Sequence, residues 1–521
     1  MEALFSRLRV FGTGLSGWRR RGFLFLLGTL LTLGLPPFDI WPVAFVILPF
    51  LIWLLEGAAS RRAAFGVGWW FSFGYFMVGW YWISNALLVF SDAFWWMIPF
   101  ALVGLPGVMA IYGGLAALVV HMAVGPGPDR RLARILLATV AFALADFARG
   151  TLLTGFPWNS FGYLWSGTEA LSQAAALIGV GGLGILVLLS GFGPALCAGA
   201  RRAWVPLAAS LLLPAAVFAG GAVRLGGAPD MAAYQEDTAL PGIRMVQPNI
   251  PQREKWARDH RLRNFEMHLE DSAADRPDWV GTVLWPETAA AFLIEEEEAF
   301  RTQAARFAVP DGGYLITGAP RIVRTPRALH NAIVVLNGTG TVVETYDKAH
   351  LVPFGEYVPF SEYLPIDSVA GGALNYSPGP GPRTLTLAGL PPFSPLICYE
   401  VIFPAAVIDR SDRPAWILNA TNDAWYGVST GPYQHLQHAR MRAVEEGLPL
   451  VRPASTGVSV AYDAYGREIG RIPLETRGIL DFRLPPALPE TFYAQWGREA
   501  IAATLVLLLG FGMVALRKRV V

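Results

Sequence analysis

The stretch Pro395-Leu396-Ile397-Cys398-Tyr399-Glu400 places a cysteine at the end of an apolar run, directly before a carboxylate. The chain has one other cysteine, Cys197, which lies in a long apolar segment, so a disulfide is a poor explanation for either residue. A lone thiol in this setting is typical of a nucleophile at a strand end. The alternative is a buried cysteine that acts as a small hydrophobic residue.

The composition of the 521 residues divides the chain into membrane and soluble parts. Charged residues make up 16% of the chain, whereas soluble domains carry roughly 25%. Residues 1–224 and 497–521 contain long apolar runs, and residues 225–496 carry charges, Pro and Gly throughout. The net charge of +1 and the lack of a basic stripe with interleaved aromatic residues give no indication of nucleic-acid binding.

Apolar runs long enough to cross a hydrocarbon core of about 30 Å predict eight transmembrane helices. Seven lie in a membrane domain of residues 1–224, and the eighth lies in residues 497–521, before a basic cytoplasmic tail. The predicted spans are residues 22–36, 39–56, 66–90, 94–124, 133–153, 171–200, 203–224 and 498–516.

Basic clusters predict the orientation of these helices. With eight spans, five clusters fall on the same side of the membrane. They are Arg7 with Arg9 and Arg19 to Arg21, Arg61 with Arg62, Arg130 with Arg131 and Arg134, Arg201 with Arg202, and Arg517 with Lys518 and Arg519. Both termini are therefore expected in the cytoplasm and residues 225–496 in the bacterial periplasm. In that oxidising compartment an unpaired thiol is more often kept for chemistry.

Two features of the membrane part have both functional and structural interpretations. Asp146 and Arg149 share one helical face near the end of the fifth span, as a functional pair or as a mutually satisfied one. The aromatic loop from Gly155 to Tyr163 either shapes a passage for lipid or forms an interfacial aromatic belt.

In residues 225–496, β-rich runs alternate with helical patterns and hairpins, which predicts a mixed α/β sandwich. Three candidate catalytic groups fall at predicted strand ends, where α/β enzymes place such groups. These are Glu287 after Leu284-Trp285-Pro286, Lys348 after the hairpin that ends at Tyr346, and Cys398. His435 and His438 lie three residues apart on a predicted helix, but two ligands do not make a metal site.

The order of Glu287, Lys348 and Cys398, with Val352-Pro353-Phe354-Gly355-Glu356 after the lysine, resembles the nitrilase (carbon–nitrogen hydrolase) superfamily. The eight-span frame narrows the resemblance to its apolipoprotein N-acyltransferase family. Four further motifs agree with that family: Pro36-Pro37-Phe38-Asp39, Gly155-Phe156-Pro157-Trp158, Gln247 to Gln252 with Lys255-Trp256, and Asn419 to Gly427.

The resemblance implies an αββα sandwich and a two-step acyl transfer through a thioester on Cys398. Glu287 would be the general base, and Lys348 would stabilise the thiolate and the oxyanion, because a nearby cation lowers the pKa of a thiol. The supporting residues would be Glu356, Tyr399, Glu400, Trp256, Trp425 and Tyr426.

The implied acyl donor is a phospholipid, and the implied acceptor is the α-amine of an S-diacylglyceryl-cysteine at an apolipoprotein N-terminus. No cofactor or metal is implied, and a monomer is expected. A thioester must be kept from water, so we expect a lid from the segment Tyr357 to Tyr363, with Phe360, or from the loop of Trp425 and Tyr426.

Two rival functions remain open. A membrane-tethered amidase or nitrilase would use the same three residues with water in the second step, although a small soluble substrate would not require eight spans. A transporter with a periplasmic binding domain would need paired charges and broken helices at the membrane midplane. The few intramembrane charges of this chain lie near predicted span ends instead.

Overall fold

The computed structural model describes residues 1–359, 361, 363, 368–369 and 375–517. The chain forms two compact units. The helical unit comprises Met1–Ser84, Trp96–Gly227 and the residues from Thr491 onward. The α/β unit comprises Ala228–Glu490 together with the short segment Asn85–Trp95.

The α-helices follow from the apolar and amphipathic runs of the sequence. Along the chain they are α1 (Glu2–Gly14), α2 (Gly17–Leu31), α3 (Val43–Glu56), α4 (Arg61–Gly79), α5 (Ile83–Val89), α6 (Ser91–Phe94), α7 (Leu105–Val124), α8 (Arg131–Thr151), α9 (Glu169–Ser172), α10 (Ala175–Phe192), α11 (Trp204–Gly226), α12 (Met231–Glu236), α13 (Gln252–Lys255), α14 (Arg258–Ala273), α15 (Glu298–Phe307), α16 (Gly431–Glu446) and α17 (Phe492–Arg517).

Within the described residues, four helical stretches are long and apolar enough to cross a membrane. They are Ser91–Val124, Ala175–Cys197, Trp204–Glu236 and Phe492–Arg517. The other four predicted spans fall on α2, α3, α4 and α8, which are shorter or less apolar. Lys518 and Arg519 of the last basic cluster lie outside the described residues.

In α8 of the helical unit, the buried Arg149 forms an ion pair with the partly buried Asp146. Arg149 also donates to the carbonyl oxygens of Phe156 and Trp158, and Asp146 accepts the backbone N–H of Phe161 at 3.1 Å. The pair therefore holds the aromatic loop that follows α8, which satisfies the charges locally.

The strands of the α/β unit form two sheets of six strands each, counted over the described residues. Their bounds are β1 (Gly242–Gln247), β2 (Val280–Leu284), β3 (Tyr314–Arg324), β4 (Arg327–Asn337), β5 (Val342–Asp347), β6 (Leu385–Leu387), β7 (Leu390–Ile397), β8 (Trp416–Ala420), β9 (Leu450–Arg452), β10 (Ser459–Tyr462), β11 (Glu468–Ile472) and β12 (Gly478–Arg483). The strand orders are β12-β1-β2-β3-β4-β5 and β11-β10-β9-β8-β7-β6.

A shared apolar core joins the two sheets. Ile243 and Leu284 from the first sheet pack in one buried cluster with Phe393 and Leu418 from the second. A second cluster, which includes Phe265, buries the other face of the first sheet against α14 and α15, and α16 packs against β9 of the second sheet. This layering is the α/β sandwich expected from the sequence.

Several elements differ from the sequence prediction. The sequence predicts strands over Tyr314 to Gly318 and Asn331 to Leu336. In the structure, β3 and β4 are longer and pair antiparallel from Tyr314↔Asn337 to Arg324↔Arg327. Strands β6, β9 and β12 and helices α12, α13 and α15 have no counterpart in the sequence prediction. Strand β9 has only three residues, which is too short for an alternating pattern to register.

Candidate active site

Topology brings Glu287 and Lys348 to one edge of the first sheet. Strands β2 and β3 are parallel, and two antiparallel pairings then give β5 the direction of β3. The C-terminal ends of β2 and β5 therefore meet at the same edge, where side chains of α/β enzymes commonly converge. Glu287 follows β2 by three residues, and Lys348 directly follows β5.

Lys348 is the centre of a buried cluster of two carboxylates and an amide. Its Nζ lies 3.0 Å from Glu356 and 3.6 Å from Oε1 of Glu287. The Nδ2 of Asn331 donates to Glu287 at 2.7 Å and to Glu356 at 2.9 Å. We call Glu287, Asn331, Lys348 and Glu356 the lysine cluster.

A glycine allows the Glu287 turn to lie close to its neighbouring strand. A Cβ on Gly318 in β3 would come within 2.3 Å of the Thr288 nitrogen and 2.6 Å of the Glu287 Cα. Real Cβ atoms do not approach so closely, so any larger residue would displace the turn. The backbone hydrogen bond from Gly318 to the carbonyl of Pro286, at 3.2 Å, fixes the same approach.

Cys398 directly follows β7, and its backbone φ is +51°. A non-glycine residue in this region costs about 1–3 kcal/mol, and such strain is often found at functional sites. The carbonyl oxygen of Cys398 lies 3.3 Å from Asn419 Nδ2 and 3.1 Å from His435 Nε2. These contacts hold a strained backbone in place.

His435 belongs to a second buried cluster, with Asp423 after β8 and Arg452 in β9. Asp423 lies 2.7 Å from Arg452 and 2.8 Å from His435 Nδ1, and Arg452 lies 2.9 Å from the same nitrogen. We call these three residues the histidine cluster. His435 Nε2 faces the Cys398 carbonyl and Nδ1 faces both Asp423 and Arg452, so the tautomer decides which of these contacts are hydrogen bonds.

The ligand atoms of Cys398, Asp423 and His435 lie within 4.8 Å of one another, which is a spacing that suits a metal ion. Both ring nitrogens of His435 and both oxygens of Asp423 already have polar contacts at hydrogen-bond distance. A cation would have to replace these contacts and lie beside the Arg452 guanidinium. The donor set therefore fits a hydrogen-bond network better than a metal centre, and the absence of a metal stays a prediction.

The charges around Cys398 favour the thiol over the thiolate in the resting site. Burial and the Glu287 carboxylate raise the pKa of Cys398 well above its usual range, and the opposing effect of Lys348 is smaller. The sequence expectation that Lys348 lowers this pKa is therefore right in sign but outweighed. Burial alone would lower the pKa of Lys348, but Glu356 and Glu287 raise it above its ordinary value.

Glu400 joins the end of β5 to the turn of Cys398. It accepts hydrogen bonds from the Tyr346 hydroxyl at 2.8 Å, from the backbone N–H groups of Ala349 and His350, and from that of Ile397. Its position is thus a link between two sheets. Tyr399 is also buried, and its ring packs edge-on against Phe403.

The aromatic residues singled out in the sequence lie nearer the surface of the α/β unit. Trp256 is 42% exposed. The ring of Trp425 packs against that of Phe90 with 6.1 Å between the ring centroids, and the carbonyl of Tyr426 accepts a hydrogen bond from Asn85 at 2.7 Å. Phe360, named above for a lid, lies outside the described residues.

Sequence reasoning missed three buried polar residues near Cys398. Asp423 lies within the motif Asn419 to Gly427, the sequence suggests His435 only as a metal ligand, and Lys255 precedes Trp256, to which the resemblance assigns a supporting role. Lys255 is only 4% exposed, and its Nζ donates to the backbone carbonyl of Glu287 at 2.7 Å. Lys255 lies between Pro251-Gln252 and a predicted polar helix, and nothing in this local sequence indicates that its side chain is buried.

The two six-stranded sheets belong to a domain of the carbon–nitrogen hydrolase class. The profile described as Carbon-nitrogen hydrolase matches residues 243–491. Among solved structures, an amidase from Nesterenkonia sp. AN1 is similar with a TM-score of 0.35 and 19% identity, covering 50% of this chain and 98% of that one. A carbon–nitrogen hydrolase superfamily protein from Xanthomonas campestris is similar with a TM-score of 0.35 and 18% identity, covering 51% of this chain and 97% of that one.

The helical unit identifies the family within the carbon–nitrogen hydrolase class. The profile described as Apolipoprotein N-acyltransferase N-terminal domain matches residues 27–193. A curated apolipoprotein N-acyltransferase of Rhodopseudomonas palustris is 38% identical over 96% of each chain, and one of Brucella melitensis is 38% identical over 95% of this chain and 94% of its own. The chain belongs to the apolipoprotein N-acyltransferase family.

Proposed function

We propose that this chain transfers a fatty acyl group from a phospholipid to the α-amine of an S-diacylglyceryl-cysteine at the N-terminus of an apolipoprotein. The observation that carries the proposal is the buried lysine cluster beside the thiol of Cys398. Membership of the family supplies the class of substrates. Glu287, Lys348 and Cys398 are the proposed catalytic residues.

In the first step, Sγ of Cys398 attacks the ester carbonyl carbon of the phospholipid. Because the resting thiol is protonated, Glu287 accepts its proton as the C–S bond forms. Lys348 stabilises the oxyanion, with the backbone N–H of Tyr399 as a second donor. The ester C–O bond then breaks, Glu287 returns the proton to the leaving alkoxide, and a lysophospholipid departs.

In the second step, the acceptor amine attacks the thioester carbonyl. Glu287 takes a proton from the amine, the C–S bond breaks, and the proton returns to Sγ. The products are the N-acylated lipoprotein and the original thiol, so the enzyme returns to its starting state. Glu356 holds Lys348 throughout, and Trp256, Trp425 and Tyr426 are proposed to contact the lipid chains.

The proposed setting is a bacterial inner membrane with eight transmembrane helices. Residues 1–224 would form the membrane domain, 225–496 the periplasmic catalytic domain, and 497–521 the last helix and a cytoplasmic tail. Both termini would lie in the cytoplasm, and the enzyme would act as a monomer. The same-side distribution of the five basic clusters supports this orientation.

Incubation of the full-length protein with phospholipid, followed by mass spectrometry of the intact chain, tests the first step. We expect one acyl group on the wild type and none on Cys398→Ala. An equal mass increase on both proteins would contradict the proposal. Adduct formation from a small amide but not from phospholipid would instead favour a carbon–nitrogen hydrolase.

A further inference from the structure

Lys255 is a buried ammonium for which the reaction above has no role. It is the last residue of α13, and its Nζ donates to the backbone carbonyl of Glu287 at 2.7 Å. Among the described residues this is the one hydrogen bond that the Nζ makes. An ammonium has three donors, and burying a charge is costly unless the charge is paired. Nearby negative charge must therefore also stabilise this group.

The composition makes a lysine at this position unusual. The chain has 41 basic residues of the Lys and Arg types, and only three of them are lysines: Lys255, Lys348 and Lys518. The first two are both buried, and both contact Glu287, one through its carbonyl and the other near its carboxylate. Lysine is a compact point charge whose pKa shifts readily on burial, unlike arginine.

The charges that face Lys255 come from the catalytic residues. Burial lowers the pKa of Lys255 to about 8, while the Glu287 carboxylate, and Cys398 once it is a thiolate, act in the opposite direction. From α14, His268 also faces Lys255, and burial lowers the pKa of this histidine to about 4, so it is neutral. The negative charge of the site therefore sustains the charge of Lys255.

Lys348 alone does not balance the lysine cluster, because it faces both Glu287 and Glu356. A second ammonium near Glu287 and Cys398 would reduce the excess negative charge. That reduction matters when Cys398 becomes a nucleophile, since a nearby negative charge raises the pKa of a thiol and disfavours an oxyanion.

We propose that Lys255 is a positioning residue of the acyl-transfer site, which fixes the Glu287 turn through its carbonyl and balances the buried carboxylates with a second positive charge. The inference rests on the proposed function, because it assigns Lys255 to the same reaction. Its tests use readouts that need no lipid.

The first test is the rate at which iodoacetamide alkylates Cys398 in the full-length protein between pH 7 and 9, followed on the Cys398 peptide by mass spectrometry. Lys255→Met should slow alkylation about tenfold at pH 7, because loss of one nearby charge raises a pKa by about one unit. The difference should shrink toward pH 9, since Lys255 itself loses its proton near pH 8. Lys255→Arg keeps the charge and should recover most of the rate. Alkylation of Lys255→Met at the wild-type rate throughout would overturn the charge role.

The second test is a double-mutant cycle in thermal unfolding with Lys255→Met and Glu287→Gln. We expect Lys255→Met to lower the Tm more in the wild type than in Glu287→Gln, where there is less charge to balance. Equal decreases would show a purely structural hydrogen bond and overturn the inference. If Lys255→Met fails to fold, recovery in the Glu287→Gln background supports the charge role, and failure in both backgrounds overturns it.

The two proposals can fail separately. Absence of an acyl adduct on Cys398 from phospholipid, with the alkylation and unfolding results as expected, would contradict the proposed function alone. A normal adduct on the wild type, with no effect of Lys255→Met on alkylation, would contradict the role of Lys255 alone.

Discussion

Two buried ionic clusters face Cys398, and they differ in composition and tightness. The lysine cluster has two carboxylates around one ammonium, and its contacts are 2.7 to 3.0 Å except for the 3.6 Å between Lys348 and Glu287, which makes the Glu287 pairing the loose one. The histidine cluster has one carboxylate, one guanidinium and one imidazole, joined at 2.7 to 2.9 Å. A carboxylate in the looser cluster is available to accept a proton, whereas the tighter cluster holds the Cys398 backbone.

The largest expected effect is a loss of thioester formation when the lysine cluster is changed at Glu287. Glu287→Gln should slow thioester formation by roughly 10²- to 10⁴-fold, because the thiol loses its general base. The domain should stay folded, since the glutamine oxygen can still accept from Asn331. Stopped reactions with phospholipid measure the rate, and thermal unfolding is the control. An unchanged rate would remove Glu287 from the mechanism.

The second prediction concerns the histidine cluster and stability. Arg452→Met should destabilise the α/β unit by about 3–5 kcal/mol, because it leaves the Asp423 carboxylate buried without its cation. Chemical denaturation provides the measurement. Arg471, paired with Glu468 on the surface, supplies the control: Arg471→Met should cost at most about 1 kcal/mol. Equal losses for the two variants would contradict the distinction between the clusters.

The third prediction concerns the turn that carries Glu287. Gly318→Ala should cost about 1–3 kcal/mol and displace that turn, since the new Cβ would overlap Thr288 and Glu287. Gly281→Ala, in the adjacent strand β2, meets nothing within 4 Å and is the matched control. Thioester formation should fall only in Gly318→Ala, and a parallel loss in both variants would argue against the close approach.

The smallest expected effect is a pH dependence in the histidine cluster. Burial and Arg452 lower the pKa of His435 below its usual value, despite the opposing effect of Asp423. The unfolded chain then binds a proton that the folded one does not, so stability is lost as pH falls below about 6.5. One proton contributes at most about 1.4 kcal/mol per pH unit. His435→Gln should flatten the stability curve there, and an identical slope would show that His435 does not titrate as described.

The sequence predicted a site residue best where that residue lies within its own local motif. Glu287, Lys348 and Cys398 each follow a predicted strand within a recognisable motif. Strands of like direction bring Glu287 and Lys348 to one edge of the first sheet. The histidine cluster could not be predicted, because its members come from a loop, a helix and a three-residue strand that meet only through packing of α16 on β9.

Burial was the second property that the sequence could not supply. Trp256 and Lys255 are neighbours, and hydrophobicity favours burying the tryptophan, yet the lysine is 4% exposed and the tryptophan 42%. Tertiary contacts with Glu287 decide this order. Likewise, hydropathy predicted eight spans, while helix length and apolar content together select four stretches among the described residues.

A chase of the purified acyl-enzyme tests the thioester on Cys398 most directly. The protein is loaded from a phospholipid with a labelled acyl chain, freed of donor, and mixed with a peptide that begins with S-diacylglyceryl-cysteine. Label should leave Cys398 and appear in equal amount on the α-amine of the peptide. Release of the label as free fatty acid, or acylation of the peptide while Cys398 keeps its label, would contradict this prediction.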